Sequence, residues 1–294
     1  DGNYTAEERI LNGGDMYVMH KNKRFLASLD KEPRIEVEVE GHQRTSVKRS
    51  GWFVAEDGSK FCKFILRIET FKGKPYVRLY HTFIYTGYPE NKFYERYEGL
   101  PLPKNETVQE FGILVPANIQ GNAAYAFGID ERIVGGELTK DVGLFQEDAS
   151  TVSVSGGGKE IASAASGGLT MTKGKKASGW VDLKSGDLGV LVSARYFWQQ
   201  YPKAFYVNKN SGVIDIKLWP ARAGELNLRT TENALGPDDV ARGNAFGLGK
   251  THELCLYFHK SGVDDRIIDL TAKALTAPVH IRPDPRWLAS TGAL

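Results

Sequence analysis

In the run Gly249–Phe258, read GKTHELCLYF, a lysine and a histidine occupy positions that the surrounding pattern reserves for apolar side chains. With the two-residue period of a β-strand, Lys250 and His252 fall on the same side as Leu254, Leu256 and Phe258. Taking a cation out of water is costly unless it is paired or used, so the row predicts a sheet face that runs from core into a cleft. Arg195 poses the same question in Leu188–Trp198. It shares parity with Leu191, Ser193 and Phe197, while Val190, Val192, Ala194, Tyr196 and Trp198 take the other side, so this strand is expected to be covered on both faces. The bland reading of Arg195 is a buried arginine paired with a carboxylate; the functional one is a binder of an anionic substrate. His81 has the parity of Val77, Leu79 and Phe83 within Tyr76–Tyr85, and a lone histidine on an apolar face is more often a satisfied core residue than a functional one. Tyr80, Tyr85, Tyr88, Tyr94 and Tyr97 cluster around a turn, where they suit either packing or the stacking of sugar rings. Arg195, Lys250, His252 and His81 together describe a cationic cleft with a titratable base, which fits an acidic substrate and proton abstraction.

Two familiar motifs fail on spacing. Gly249-Lys250-Thr251 ends like a phosphate-binding loop, but the required earlier glycine is Asn244, and Gly243 is one residue too far. The residues after Thr251 alternate as a strand, whereas a phosphate loop must open a helix. His252-Glu253 begins like a zinc-protease helix, but the place of the second histidine holds Leu256. The 6 histidines are scattered and the acids miss calcium-loop spacing, so neither a metal nor a cofactor is expected. A carboxylate pair for glycoside hydrolysis needs no proximity in sequence and stays open.

The elements that must position these residues are mainly strands. The 294 residues can build one large all-β domain or two smaller ones. A composition of 41% hydrophobic and 25% charged residues is that of a globular protein, and a net charge of +2 does not call for nucleic acid. No apolar run approaches the roughly 20 residues of a bilayer-spanning helix. The chain opens on Asp1 with no signal-peptide pattern, which points to a processed or excised segment. Cys62 and Cys255 each sit in an apolar run; buried free thiols and a bridge between neighbouring strands both stay open.

Ile35, Val37 and Val39 alternate with Glu36, Glu38 and Glu40 as a half-exposed antiparallel strand. Ser50–Val54, Lys60–Phe71 and Tyr76–Tyr85 come next, across acidic and Lys-Gly-Lys-Pro turns, as a meander. Glu110–Val115 and Ala123–Ile129 are further apolar runs without an assigned pairing. The Ser/Gly-rich stretch 151–179 is expected as strand edges and loops on a solvent-facing rim. Leu188–Trp198, Ala204–Val207, Val213–Trp219 and Thr251–His259 form a second strand block. One helix is expected, from Asp264 to about Thr276, with Asp264 or Asp265 as its cap and Ile267, Ile268, Leu270, Ala274 and Leu275 on one apolar face. The proline-rich tail beyond it has linker composition.

Several of these segments resemble one family. Ile35–Gly41 with Arg44–Gly51, Tyr76–Thr82, Phe93–Pro103 with Gly99-Leu100, Ser193–Lys203, Leu218-Trp219-Pro220 and Gly249–Leu254 look like landmarks of the central β domain of exo-rhamnogalacturonan lyases and their YetA-like bacterial relatives. The likeness covers most of the chain, with the Gly-rich middle unmatched. It implies an all-β fold: a large antiparallel β-sandwich, a galactose-mutarotase-like supersandwich, with one C-terminal helix. It divides the chain into residues 1–30 (the end of a preceding domain or N-terminal strands), a β-sandwich over 31–276, and a linker over 277–294 towards a C-terminal helical domain absent from the chain. The activity implied is β-elimination of rhamnogalacturonan or a related uronate polymer in pectin degradation, in an extracellular or periplasmic setting, without a cofactor. On this resemblance Arg195 binds the substrate carboxylate, Lys250 is the base or a second neutraliser, and His252 or Tyr196 protonates the leaving oxygen. His81, Tyr85, Trp198 and Tyr201 are expected against the acidic polysaccharide. The competing expectation is a non-catalytic carbohydrate-binding or structural β module.

Overall fold

The computed structural model describes residues 11–87, 106–119, 121–156, 172–228, 245–277 and 283–292. Tyr88, Tyr94, Tyr97, the segment Phe93–Pro103, Gly243 and Asn244 lie outside them. Strands pair in two antiparallel runs. The first has the order β3 (Arg34–Glu40), β4 (Arg44–Val54), β5 (Lys60–Phe71), β6 (Tyr76–Ile84), β17 (Gly249–Lys260), β14 (Leu188–Ala194), β13 (Ala177–Ser185), β8 (Ala123–Ile129), β9 (Arg132–Glu137). The second has the order β2 (Lys23–Leu26), β1 (Asp15–His20), β7 (Glu110–Pro116), β16 (Val213–Trp219), β15 (Lys203–Val207), β10 (Val142–Asp148), β11 (Thr151–Gly156), β12 (Thr172–Gly174). Among the described residues a single register pair, Leu26 with Val54, joins the two runs.

Alternation decides what each run buries. Phe64, Leu79, Phe83, Val190, Val192, Leu254 and Leu256 of the first run share one buried cluster with Val18, Phe111, Ile113, Phe205, Ile214 and Ile216 of the second. Phe83 stacks on Phe111 with ring centroids 4.5 Å apart, one contact across the two layers. The molecule is therefore a large antiparallel β-sandwich. β1 lies inside the second layer, between β2 and β7.

The outer face of the first layer is covered in turn by α1 (Asp265–Thr276), which explains the near-continuous apolar character of β13 and β14. Its Asp264 cap accepts a hydrogen bond from the Arg266 amide. Only a narrow strip of α1 docks: Ile268 and Ala272 meet Trp180, Leu191 and Ala126. Ile267 and Leu270, expected on the packed face, are exposed, because the strip that meets the sheet includes Ala272 instead. A second short helix, α2 (Pro285–Ser290), starts in the proline-rich tail, where Asp284-Pro285 supplies a cap and a first-turn proline. Cys62 and Cys255 are buried free thiols.

Beneath α1 lies a buried ion pair. His259 on β17 donates from Nε2 to Asp182 Oδ1 on β13 at 2.8 Å, and from Nδ1 to the Lys260 carbonyl at 2.9 Å. With Asp182 ionised, both ring nitrogens donate and the ring is an imidazolium; burial works against this by raising the Asp182 pKa, and the His259 bond and charge work for it. Burial opposes that charge, but the Asp182 bond and charge outweigh it and raise the His259 pKa. Lys184 continues the network to Asp265 at 2.6 Å, tying α1 to the sheet. A histidine pKa raised by folding contributes stability that is full below the unfolded value of about 6.5 and is lost as pH rises through the folded value. Replacing His259 by Gln is expected to cost about 3 kcal/mol in acid-side denaturant melts. The deficit should shrink in melts above the folded pKa; a deficit independent of pH would show that the ring is neutral.

Candidate functional site

β14 ends at Ala194, short of the expected Trp198, because here the chain leaves the first layer and crosses to Lys203 in the second. Tyr196 takes a left-handed conformation (φ 56°) that strand residues avoid, a local strain of about 1 kcal/mol of the kind found at working sites. Phe197 plugs the end of the sandwich, stacked on Phe205 at 4.6 Å. Gly179 of β13 makes room for the crossing. At its φ of +78°, a Cβ would stand 2.7 Å from Phe197 Cβ and 2.8 Å from the Ala194 carbonyl oxygen.

The crossing segment presents Arg195, Tyr196 and Trp198 to one pocket of about 830 Å³. The Arg195 amide donates to the Glu253 carbonyl at 2.9 Å, and its Nη1 donates to Glu253 Oε2 at 2.9 Å. Both halves of the bland and functional readings are thus present: a carboxylate partner, and a guanidinium on the wall of a pocket. The guanidinium lies 4.8 Å from the centroid of the Tyr196 ring, and its Nε is buried without a partner. Tyr196 itself is 49% exposed. Lys176 places its ammonium 4.0 Å above Trp198, a cation–π contact. The turn carrying Lys175 and Lys176 is held by the Asp130 carboxylate, which accepts from both backbone amides at 2.7 and 2.8 Å. Four cations (Lys175, Lys176, Arg195, Lys273) and two acids, Asp130 and Glu131, line the pocket; Arg195 and Lys273 are paired with Glu253 and Asp269, so the positive contribution comes mainly from Lys175 and Lys176.

The plane of the sheet divides the remaining candidates. Arg195 and Glu253 are on the outer face; His252 is on the inner face, 6% exposed, with its ring 5.9 Å from Phe111. His81 is its register partner on β6, fully buried, with ring centroids 6.2 Å apart. The row that suggested a cleft wall therefore runs into the core, because the second layer covers the inner face. Neither His81 ring nitrogen has a partner, nor does Nδ1 of His252. Burial lowers the His81 pKa to about 3. Burial, then the charges of Lys203 and Lys250 and the His81 ring, depress His252 further, so both rings are neutral. Tyr85 is also fully buried, its hydroxyl donating to the Glu106 carbonyl. His81 and Tyr85 are corrected from substrate contacts to core residues. Lys250 is exposed at the start of β17 and does not line the pocket, and Tyr201 is exposed on the crossing segment.

One basic residue escaped the sequence reading. Lys203 opens β15 with the parity of Phe205 and Val207, the same break in an apolar row that singled out Lys250 and His252. It is 3% exposed, and its ammonium reaches only the Leu218 carbonyl at 3.4 Å. Burial, aided by the charge of Lys250, lowers its pKa to about 7.

The family model of the PcRGLX-like protein central beta sandwich domain matches residues 17–100 and 141–271. The chain belongs to this family. It is the rhamnogalacturonan-lyase-like family that the motifs resemble. No curated protein matches the chain in sequence. Among solved structures the chain is similar to a glycosyl hydrolase family 38 protein from Enterococcus faecalis (9% identity, TM-score 0.47), with 92% of this chain and 28% of that one covered. A putative aldose 1-epimerase from Klebsiella pneumoniae is another neighbour (8% identity, TM-score 0.37), with 90% and 62% covered. The chain spans little more than a quarter of the length of the first of these.

The neutral inner histidines have a consequence for acid stability opposite in sign to that of His259. A pKa lowered by folding contributes stability above about 6.5 that is lost as pH falls. Relative to wild type, His81→Leu is expected to gain about 1.4 kcal/mol per pH unit below 6.5, levelling off near the His81 pKa of about 3. Denaturant melts across that range check it; parallel curves would mean that His81 finds a partner in solution.

Proposed function

We propose that this chain is the β-sandwich portion of a polysaccharide lyase acting on rhamnogalacturonan or a related uronate polymer. The observation that carries the reading is the positive, aromatic pocket built by Arg195, Tyr196 and Trp198 with Lys175 and Lys176 at its rim. A uronate offers an apolar ring face for aromatic stacking and a carboxylate for a cation, and the pocket supplies both partners. Membership of a rhamnogalacturonan-lyase-like family supports the same substrate class.

In β-elimination a base takes the proton from C5 of a galacturonate, the C4–O bond breaks, a C4–C5 double bond forms, and the departing oxygen takes up a proton. Charge gathers on the substrate carboxylate as C5 loses its proton, so a fixed cation beside it lowers the barrier. Arg195 is suited to that task, held in orientation by Glu253 on the wall of the pocket. The exposed Tyr196 hydroxyl is suited to protonating the leaving oxygen. Lys250, exposed at the same end of the sandwich, is the base in this reading, and a C-terminal helical domain closes the cleft above it. His252, neutral and inside the core, supports Lys250 without exchanging protons with substrate.

A second reading is a glycan-binding module without turnover. It is favoured by Lys250 standing outside the pocket lining and by Arg195 already having a carboxylate partner.

Incubation with rhamnogalacturonan and other acidic polysaccharides, with ultraviolet detection of the unsaturated uronate, separates the two. The lyase reading expects product from the wild type and none from Lys250→Ala. Arg195→Ala should weaken binding about tenfold, the worth of one charge-assisted hydrogen bond. Glycan binding with no product, unchanged by Lys250→Ala, establishes the binding module; no binding to any acidic glycan overturns both.

A further inference from the structure

We propose that Lys203, Lys250 and His252 form a second site, at the end of the sandwich and on the inner side of β17, that binds a small oxyanion or carboxylate. The inference shares Lys250 with the lyase reading but does not rest on it, since its test reads the binding of an anion and not turnover.

The reason lies in how this protein treats its other buried charges. Arg195 has Glu253 at 2.9 Å, Lys217 has Glu110 at 2.7 Å, Lys184 has Asp265 at 2.6 Å, and His259 has Asp182 at 2.8 Å. Lys203 is more deeply buried than Arg195, Lys217 or Lys184, yet among the described residues no carboxylate lies within 4.0 Å of it or of Lys250. Its single hydrogen bond, to Leu218, is long. A buried ammonium without a counter-ion is the arrangement that folding normally avoids. Burial, and after it the charge of Lys250, act against its protonation, so the ammonium form lacks a stabilising partner.

The groups facing Lys203 and His252 are all basic or neutral. Lys250 is the exposed cation, and His81 lies beyond His252 as a neutral ring. Leu218 contributes only its carbonyl. His252 keeps an unpartnered Nδ1, and in the tautomer with hydrogen on that atom it is a ready donor. Lys203, Lys250 and His252 thus lie within electrostatic reach of one another, and the acceptor that Lys203 reaches is one peptide oxygen. An anion between the two lysines would remove their repulsion, accept from His252 and leave Lys203 protonated. Because Lys250 is exposed, the lysine pair is reached from solvent at the strand end.

Binding of this kind is linked to proton uptake. Lys203 in the empty site titrates near neutrality, so affinity should fall as pH rises above about 7. The chain would be titrated with sulfate, phosphate and galacturonate monomer by calorimetry and thermal melting, with chloride holding ionic strength constant. The expected result is saturable binding on the acid side of neutrality that weakens on the alkaline side. Lys203→Met and Lys250→Ala should each weaken it by about tenfold or more, while Arg195→Ala leaves the binding of sulfate and phosphate unchanged. Lys250 is exposed, so its variant reports even if Lys203→Met does not fold. Binding confined to galacturonate makes this a site for an acidic sugar; binding of sulfate or phosphate makes it an inorganic-anion site. No saturable effect beyond chloride, or undiminished binding by the folded Lys250→Ala protein, overturns the proposal.

Discussion

The register between β14 and β17 is the constraint on which everything at this end of the molecule depends. Ala194 pairs with Leu254, which sets the next residue, Arg195, against Glu253 on the outer face. β17 pairs with β6 so that His252 meets His81 on the inner face. A slip of one residue would exchange the faces, sending Arg195 and Glu253 into the apolar core and His252 to the helix side. Sequence alternation alone does not prevent such a slip in strands that are apolar on both sides. The lock is at the far end of the same pair of strands. Gly189 pairs with His259, and a Cβ at Gly189 would come within 2.3 Å of the imidazole, so the ring lies flat over its partner and reaches Asp182. Any other register would bring a side chain under the ring and leave Asp182 without its histidine partner.

The same strand therefore carries two histidines in opposite electrostatic states. His259 faces outward, meets an acid and is charged; His252 faces inward, meets bases and is neutral. An odd number of residue steps separates them, so alternation places them on opposite faces. Their contributions to stability run in opposite directions with pH, the ion pair weakening towards alkali and the neutral rings towards acid. A sheet whose two faces are both buried can hold both, since each face sets its own dielectric and its own neighbours.

Strand positions were largely legible from alternation: Lys60–Phe71, Ala123–Ile129 and Val213–Trp219 have the boundaries that the pattern suggests. So was the helix, whose Asp264 cap is a local device with a local sequence mark. The rest depends on what lies opposite. Parity assigned His252 and His81 to the side of Leu254 and Leu79 correctly, but only the second layer determines that this side is closed instead of open. Trp198 was read as strand because Leu188–Trp198 stays apolar; the chain turns at Tyr196 because the layers must be connected there, and no residue type marks it. Lys203 carried the same mark as Lys250, one basic residue in an apolar row, but the row is only Phe205 and Val207 long. Alternation over so short a run has little weight on its own.

The electrostatics of the Arg195 pocket stem from where its charges are anchored. Arg195 is 21% exposed and hydrogen-bonded to Glu253, so its guanidinium is fixed in direction but largely neutralised at a distance. Arg78, 4.0 Å from the same carboxylate, draws part of that charge away and leaves Arg195 less completely compensated. In the proposed reading the long-range attraction for a polyanion comes from elsewhere, and the rim lysines are placed to supply it. Their turn is fixed through the backbone by Asp130, an arrangement that leaves the Lys175 and Lys176 ammonium groups free of that carboxylate. The acid thus positions two cations without quenching them, while Arg195 gives direction at close range. Attraction and orientation are assigned to different residues, and a bound carboxylate need not break the Arg195–Glu253 pair to be held.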